Sequence, residues 1–213
     1  LSDYVQTFSS FFNIKNTDVV LQHLSYNFDA SIEEIFPILT HGGKLALAPS
    51  LDDTTEFIDF VNKNKITVIS TVPALSEIFN ENVERLTSLR IFICGGDTLK
   101  YSSIDRIINY CDVYNTYGPT ESTVCAAYFK IEKEYKNIPI GKPINNRKII
   151  IVDRFDKECP AGVPGEILIS GSGLARGYLN DVLLTSEKFI KLNNEIFYRT
   201  GDSARWMEDG NIE

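Results

Sequence analysis

The strongest constraint on this chain is an alternation. Through its first two thirds, apolar runs recur with segments of helical period between them: "DVVLQHL" (18–24), "KLALAP" (44–49), "ITVISTV" (66–72), "LRIFICGG" (89–96) and "DVYNTYG" (112–118). Short buried strands separated by helical crossovers build a parallel or mixed sheet with helices covering it. "SIEEIFPILTH" (31–41) repeats Ile32, Ile35, Phe36 and Leu39 at helical spacing, with Ser31 and Glu34 spaced as a capping box and Gly42-Gly43 as a stop. Pro37 conflicts with that helix and predicts a kink or an early local end. "DTTEFIDFVNKN" (53–64) predicts a helix with Phe57, Ile58 and Val61 on one face; a short helix starts at Pro73, and "YSSIDRIINY" (101–110) predicts another.

From about Ile138 the texture changes. "RKIIIVD", "GEILISG" and "FYRTGDSARWMEDGNIE" are short strands broken by Gly, Pro and Asp-Gly turns, with one helical piece near Leu184–Ile190. The expected fold class is α/β: a mixed, mostly parallel sheet with helical cover over 1–137, then a smaller β-rich, barrel-like lobe over 138–213. The final hairpin, Trp206–Glu213 around Asp209-Gly210, stops as its second strand begins, so a longer parent protein is expected.

Composition removes several classes of function. The 213 residues, 43% hydrophobic and 23% charged, suffice for a substantial core. No apolar run reaches the roughly 18 residues of a membrane span, and no basic-then-apolar leader opens the chain. Cys94, Cys111, Cys125 and Cys159 form no CxxC pair and have no histidine at ligand spacing, which favours a reduced, cytoplasmic setting over a zinc or disulfide framework. His23 and His41 lack a neighbouring Ser or Cys motif and read as structural. A net charge of -8 argues against nucleic acid as a partner, though not against a nucleotide held by backbone N–H groups and a metal ion.

In an α/β sheet, ligands sit beyond the carboxyl ends of the strands. Three such loops, "NFDAS", "CGGDT" and "NTYGPTE", carry polar or glycine-rich chemistry. Singly, each has a plain reading: Asp29 caps the next helix, Gly95-Gly96 makes a tight turn, and Thr120 and Glu121 begin a strand. Together, and in order with "IPIGKPI", "GEILISGSGLARGYLN" and "YRTGDSARWMEDGNIE", they closely resemble the core motifs of the adenylation domains of nonribosomal peptide synthetases. These belong to the superfamily of acyl-adenylate-forming enzymes, with acyl-CoA synthetases and luciferases. "NTYGPTE" and "YRTGD" mark the superfamily, and "FDAS" with "GLARGYLN" and "ARWMEDGNIE" points to the peptide-synthetase branch.

The resemblance implies an amino-acid-activating ligase that joins an amino acid to ATP, releases pyrophosphate, and passes the amino acid to a carrier-protein thiol on a phosphopantetheine arm. Neighbouring synthetase domains would be partners; nucleic acid and membrane would not. By the same resemblance the Thr120 hydroxyl bonds the α-phosphate and Glu121 holds Mg²⁺. Tyr117 stacks on adenine, the Asn115 amide reads its exocyclic amine, and Gly95, Gly96 and Asp97 approach the other face of the ring. Asp202 takes both ribose hydroxyls, and Asp29 binds the α-ammonium of the substrate. Residues 1–137 thus become a substrate- and adenine-binding subdomain and 138–213 a lobe with the ribose motif.

The side-chain pocket implied by the motifs is lined by Ala30, Glu33, Ser70, Ile93, Gly95, Thr116, Val124 and Cys125. Glu33 is the odd member, since an unpaired carboxylate in a mostly apolar pocket is costly and implies a cationic partner. Asp29 and Glu33, four apart at a helix start, lie on one face about 6 Å apart along the axis, near the span of a lysine stem. The lining also resembles the pattern linked with lysine activation, so the order expected is lysine, ornithine, arginine. The plain alternative is that Glu33, like Glu34, sits in a first helical turn where acids favour the dipole. The family's phosphate-binding loop and C-terminal subdomain have no match here, so the chain alone is expected to adenylate very slowly or not at all. An acyl-CoA or aryl-acid ligase, or a non-catalytic binding module, are the alternative functions.

Overall fold

The computed structural model describes residues 1–213. Its larger sheet has seven strands in the order β2-β1-β3-β4-β5-β6-β7. β1 (Val19–Gln22), β2 (Lys44–Leu47), β3 (Val68–Thr71), β4 (Ile91–Gly95) and β5 (Asp112–Tyr117) pair in parallel, while β6 (Ala127–Ile131) and β7 (Lys142–Pro143) continue the sheet antiparallel. Parallel strands covered on both faces read as unbroken apolar runs because successive side chains feed opposite cores. Leu21, Ile69, Phe92 and Val113 join Phe57 and Phe79 in one core; Val20, Val68, Ile93 and Tyr114 join Tyr4, Phe8 and Ile38 in the other.

Helices α1 (Ser2–Phe11), α2 (Ser31–Thr40), α3 (Thr54–Lys63) and α4 (Pro73–Glu81) cover the sheet. α3 follows the expectation: Phe57, Ile58 and Val61 are buried, and the Asp53 carboxylate caps the start by accepting from Thr55 N at 2.8 Å and Glu56 N at 3.0 Å. No sequence pattern described above predicts α1. Its Tyr4 and Phe8, and Phe12 just past its end, are nearly or wholly buried, yet three aromatics among polar residues give a weak signal.

The second sheet is antiparallel, β10-β11-β9-β8, from β8 (Arg147–Val152), β9 (Gly165–Gly171), β10 (Phe189–Leu192) and β11 (Glu195–Ala204). Ile149, Ile151, Ile167 and Ile169 on one face pack with Ala126 and Ala127 of the first sheet, so the two sheets share a core there. The chain ends in a tight turn in which Met207 N donates to Asn211 O at 2.7 Å, and Ile212 bridges both Trp206 and Gly141.

Five local expectations are corrected. α2 does not stop at Pro37 but runs on to Thr40; Pro37 is buried within the helix, and that packing offsets the missing N–H bond. No capping box forms: Ser31 Oγ donates to Phe28 O at 2.8 Å, and Glu34 bonds elsewhere. The buried face of α2 is Glu33, Glu34, Pro37 and Ile38, while Phe36 and Leu39 are exposed. Residues 101–110 form two 3₁₀ turns, Tyr101–Ser103 and Ile107–Asn109, because the Asn80 side-chain oxygen takes the N–H groups of Arg106 and Ile107, both at 2.9 Å. The late helical piece is α5 (Val182–Lys188), and Phe189 already belongs to β10.

Candidate active site

The site is built around the loop between β5 and β6. Gly118 must be glycine: a Cβ there would lie 2.5 Å from Cys125 Cα and 2.6 Å from Ala126 N. The return is tight because Thr123 and Val124 both adopt left-handed backbone, φ 65° and 63°, a costly conformation for β-branched residues. Bonds from several directions hold it there. Ala126 N donates to Tyr117 O at 2.7 Å, Thr123 Oγ1 to Gly173 O at 2.7 Å, and Ala175 N to Glu121 O at 2.7 Å. Strain of this kind concentrates at working sites.

On one side of the loop lies a cleft of about 950 Å³, lined in part by Gly96, Asp97, Asn115, Tyr117, Pro119 and Asp202. Its residues come from the carboxyl ends of β4 and β5 and from β11. The register of β11 slips between Arg199 and Ser203, and Gly201 takes φ 83°. This irregularity re-aims Asp202 towards the first sheet. Tyr117 Oη donates to Asp202 Oδ2 at 2.6 Å, and burial followed by this carboxylate pushes the phenol pKa up. Asn115 is buried, with Nδ2 donating to Pro139 O at 2.8 Å; that bond leaves Oδ1 as the acceptor. Gly95 lets β4 close on β5, since a Cβ would meet Thr116 Oγ1 at 2.3 Å.

Thr120 and Glu121 occupy a 3₁₀ turn, Thr120–Ser122, with Thr120 exposed. Tyr178 and Tyr198 both donate to Glu121 Oε1, the latter at 2.9 Å. Burial raises the Glu121 carboxyl, but the bonds from Tyr178 and Tyr198 outweigh it and the net shift is downward. An ionised carboxylate with its second oxygen clear of these tyrosines fits Mg²⁺, which often takes one protein carboxylate beside substrate phosphates.

On the other side lies the proposed side-chain pocket. Glu33, Ser70, Ile93, Thr116, Val124 and Cys125 are all buried, and Ala30 partly so. Glu33 is not unpaired, as the sequence suggested. Ser70 Oγ donates to its Oε2 at 2.7 Å, and Cys125 Sγ and Tyr4 Oη donate to Oε1. Burial still holds its carboxyl above the ordinary value, against the downward pull of Tyr4, Ser70 and Cys125. Tyr4 is the partner of Glu33 that the sequence did not disclose, because it lies 29 positions upstream on a helix that carries no motif.

Asp29 does not cap α2. The N-cap is Ala30, no side chain caps the helix, and Asp29 Oδ2 is buried with no hydrogen-bond partner. A buried acceptor without a donor is expensive in a finished protein and suits a ligand that brings one. Beneath it, Glu34 anchors the start of α2 to the end of β1: Gln22 Nε2 and His23 N reach its carboxylate, both at 3.2 Å. His23 Nδ1 lies 3.0 Å from Glu34 Oε1 but off a good hydrogen-bond line, and Nε2 lies 3.1 Å from Thr71 Oγ1.

This arrangement agrees with what sequence and structure comparisons find. Residues 2–179 match the family profile described as AMP-binding enzyme. The chain belongs to the AMP-binding enzyme family. Among the curated relatives of this family member, Bacitracin synthase 2 of Bacillus licheniformis is 42% identical over 99% of the chain, which covers 8% of that protein. Gramicidin S synthase 2 of Brevibacillus brevis is 39% identical over 96% of the chain and 5% of its own length. The chain therefore spans less than a tenth of these relatives. Its fold matches the AMPPNP-bound nonribosomal peptide synthetase FmoA3 at a TM-score of 0.93 and 30% identity, over 99% of this chain and 24% of that one. It also matches the N-terminal subdomain of Klebsiella oxytoca NpsA, bound to 3-hydroxybenzoyl-AMSN, at 0.86 and 27%, over 95% and 53%. The expected α/β fold and the resemblance to peptide-synthetase adenylation domains both stand. No helix is long and apolar enough to cross a membrane.

Proposed function

We propose that this chain forms the nucleotide- and amino-acid-binding part of an amino-acid-activating ligase within a nonribosomal peptide synthetase. The observation that carries the proposal is the cleft where an aromatic ring and a buried amide from the end of β5 and a carboxylate from β11 face one volume, with Tyr117 bonded to Asp202. In the reaction, a carboxylate oxygen of the amino acid bonds to the α-phosphorus of ATP, and the bond from that phosphorus to pyrophosphate breaks. Positioning and electrostatic stabilisation are what the protein supplies.

Tyr117 stacks on adenine, Asn115 Oδ1 accepts from its exocyclic amine, and the turn at Gly95, Gly96 and Asp97 brings backbone against the ring. Asp202 accepts from the ribose hydroxyls. The exposed Thr120 hydroxyl donates to the α-phosphate, and Glu121 would hold Mg²⁺, whose charge offsets that of the phosphates. The orphaned Asp29 oxygen takes the α-ammonium, a charge-assisted bond that orients the carboxylate. The product passes to a carrier-protein thiol.

The substrate proposed is a basic amino acid, lysine before ornithine before arginine. Its support is Glu33, a carboxylate enclosed without a counter-cation whose ionisation burial opposes. A ligase for an acid lacking an amino group, as the aryl ligand of NpsA suggests, would leave Asp29 without a use. Amino-acid-dependent ATP–pyrophosphate exchange by the synthetase domain carrying this chain tests both points. Lysine is expected to exceed leucine, phenylalanine and its own deaminated analogue; leucine ahead of lysine, unchanged in Glu33→Gln, would reject the basic substrate.

A further inference from the structure

The hydrogen bonds around Glu33 say more than that its partner is cationic. A carboxylate offers about four acceptor positions, two on each oxygen. Here Oε1 receives the Tyr4 hydroxyl and the Cys125 thiol, at 3.3 Å for the latter, and Oε2 receives the Ser70 hydroxyl at 2.7 Å. Three positions are filled by the protein itself, and the one remaining is on Oε2. One of these donors, Tyr4, is wholly buried on α1, and Tyr4 is in turn fixed by the Tyr128 hydroxyl, which donates to it at 3.1 Å. The chain Tyr128–Tyr4–Glu33 joins β6, α1 and α2 in the same core.

We infer that Tyr4, held by Tyr128, is a specificity-determining residue that blocks one oxygen of Glu33, so that the pocket accepts a primary ammonium and discriminates against a guanidinium. A guanidinium is planar and engages a carboxylate through two parallel N–H bonds, one to each oxygen. That fork needs an open position on Oε1, and Tyr4 with Cys125 fills both. An ammonium is a point donor and needs only the open position on Oε2. Lysine and ornithine meet that condition; arginine does not. The inference rests on the proposed basic substrate, and neither Tyr4 nor Tyr128 belongs to the pocket lining implied by the motifs.

Tyr4→Phe removes the hydroxyl and keeps the ring, so the core around it stays filled. The test compares kcat/KM for lysine, ornithine, arginine and norleucine in pyrophosphate exchange by the synthetase domain, for the natural protein, Tyr4→Phe, Tyr128→Phe and Glu33→Gln. Ratios between substrates within one protein cancel any loss of folded enzyme. Tyr4→Phe is expected to raise the arginine-to-lysine ratio about tenfold or more, mainly through a lower KM for arginine. Tyr128→Phe, acting only through Tyr4, is expected to shift the ratio in the same direction but less. An unchanged ratio in Tyr4→Phe, while Glu33→Gln still collapses the preference for lysine over norleucine, overturns the role of Tyr4 alone. If Glu33→Gln leaves lysine ahead of norleucine, the basic-substrate reading falls and this inference falls with it.

Discussion

The Glu33 pocket and the Asp202 cleft flank one loop, yet they handle charge in opposite ways. Glu33 is 3% exposed and tied to three side chains from α1, β3 and the 118–126 loop. Burial there opposes ionisation, and the net shift of the carboxyl is upward. On the other side Asp202 is exposed, and Glu121, only partly covered, is stabilised as an anion by two tyrosine hydroxyls. On the function proposed above, the same type of side chain would meet different partners: the enclosed one a single cation, the exposed ones hydroxyls and a metal ion. Between Glu33 and Glu121, burial wins at the deeper site and donated hydrogen bonds at the shallower one in setting the direction of the pKa shift.

The largest effect should break the comparison if it is wrong. Asp29→Ala removes the proposed partner of the α-ammonium, and kcat/KM for the amino acid is expected to fall by about 10²–10³-fold, in line with roughly 3–5 kcal/mol for half of a buried pair. Affinity for a fluorescent ATP analogue should stay unchanged; an equal loss there would merge the two regions into one. Next, Glu121→Gln should raise the Mg²⁺ concentration for half-maximal exchange by at least roughly tenfold, as even outer-shell changes around metals do. The preference among amino acids should not move.

Gly118→Ala tests the loop common to both regions. With backbone 2.5 Å from the new Cβ, a loss of about 2–3 kcal/mol is expected, read as a Tm lower by roughly 5–10 °C. A smaller effect falls on Tyr117→Phe, which loses one hydrogen bond to Asp202; KM for ATP should rise about fivefold, the value of roughly 1 kcal/mol, with KM for the amino acid constant.

The smallest effect is a change of slope with pH. Glu33 has its folded pKa raised above the ordinary 4.5, so the stability it contributes is full below that value and is lost as pH rises through the folded value. Glu121 is lowered from 4.5, so its contribution is present above that value and lost as pH falls through the folded one. Tm measured against pH without ligand should therefore fall less with rising pH in Glu33→Gln than in the natural protein. Glu121→Gln should flatten the acid side instead. Identical profiles for both variants would mean that the two acids do not differ as described.

Much of this was legible in the order of residues, for reasons visible at particular positions. Strands β1 to β5 showed themselves because Val20 and Leu21, or Phe92 and Ile93, feed opposite cores and leave no polar interruption. The cleft residues were found through loop motifs, and Tyr117 and Asp202, 85 positions apart, do meet. α2 was read on the wrong face. Periodicity assigns Ile32, Ile35, Phe36 and Leu39 to the core, but Glu33 and Glu34 turn inward because Tyr4, Ser70, Cys125, Gln22 and His23 supply donors that periodicity cannot see. The helix predicted over 101–110 gave way to turns for a similar reason, the distant amide of Asn80.

By itself, then, the sequence determined the α/β class, the order along the chain of the chemistry-bearing loops and membership of the AMP-binding enzymes, because short-range patterns and motifs are local. Only the tertiary structure decided that Glu33 is clasped from α1, that Asp29 keeps a buried oxygen free, and that β11 slips to bring Asp202 to Tyr117. Those facts depend on which donors reach which acceptors across the fold, and such contacts leave no fixed spacing along the chain.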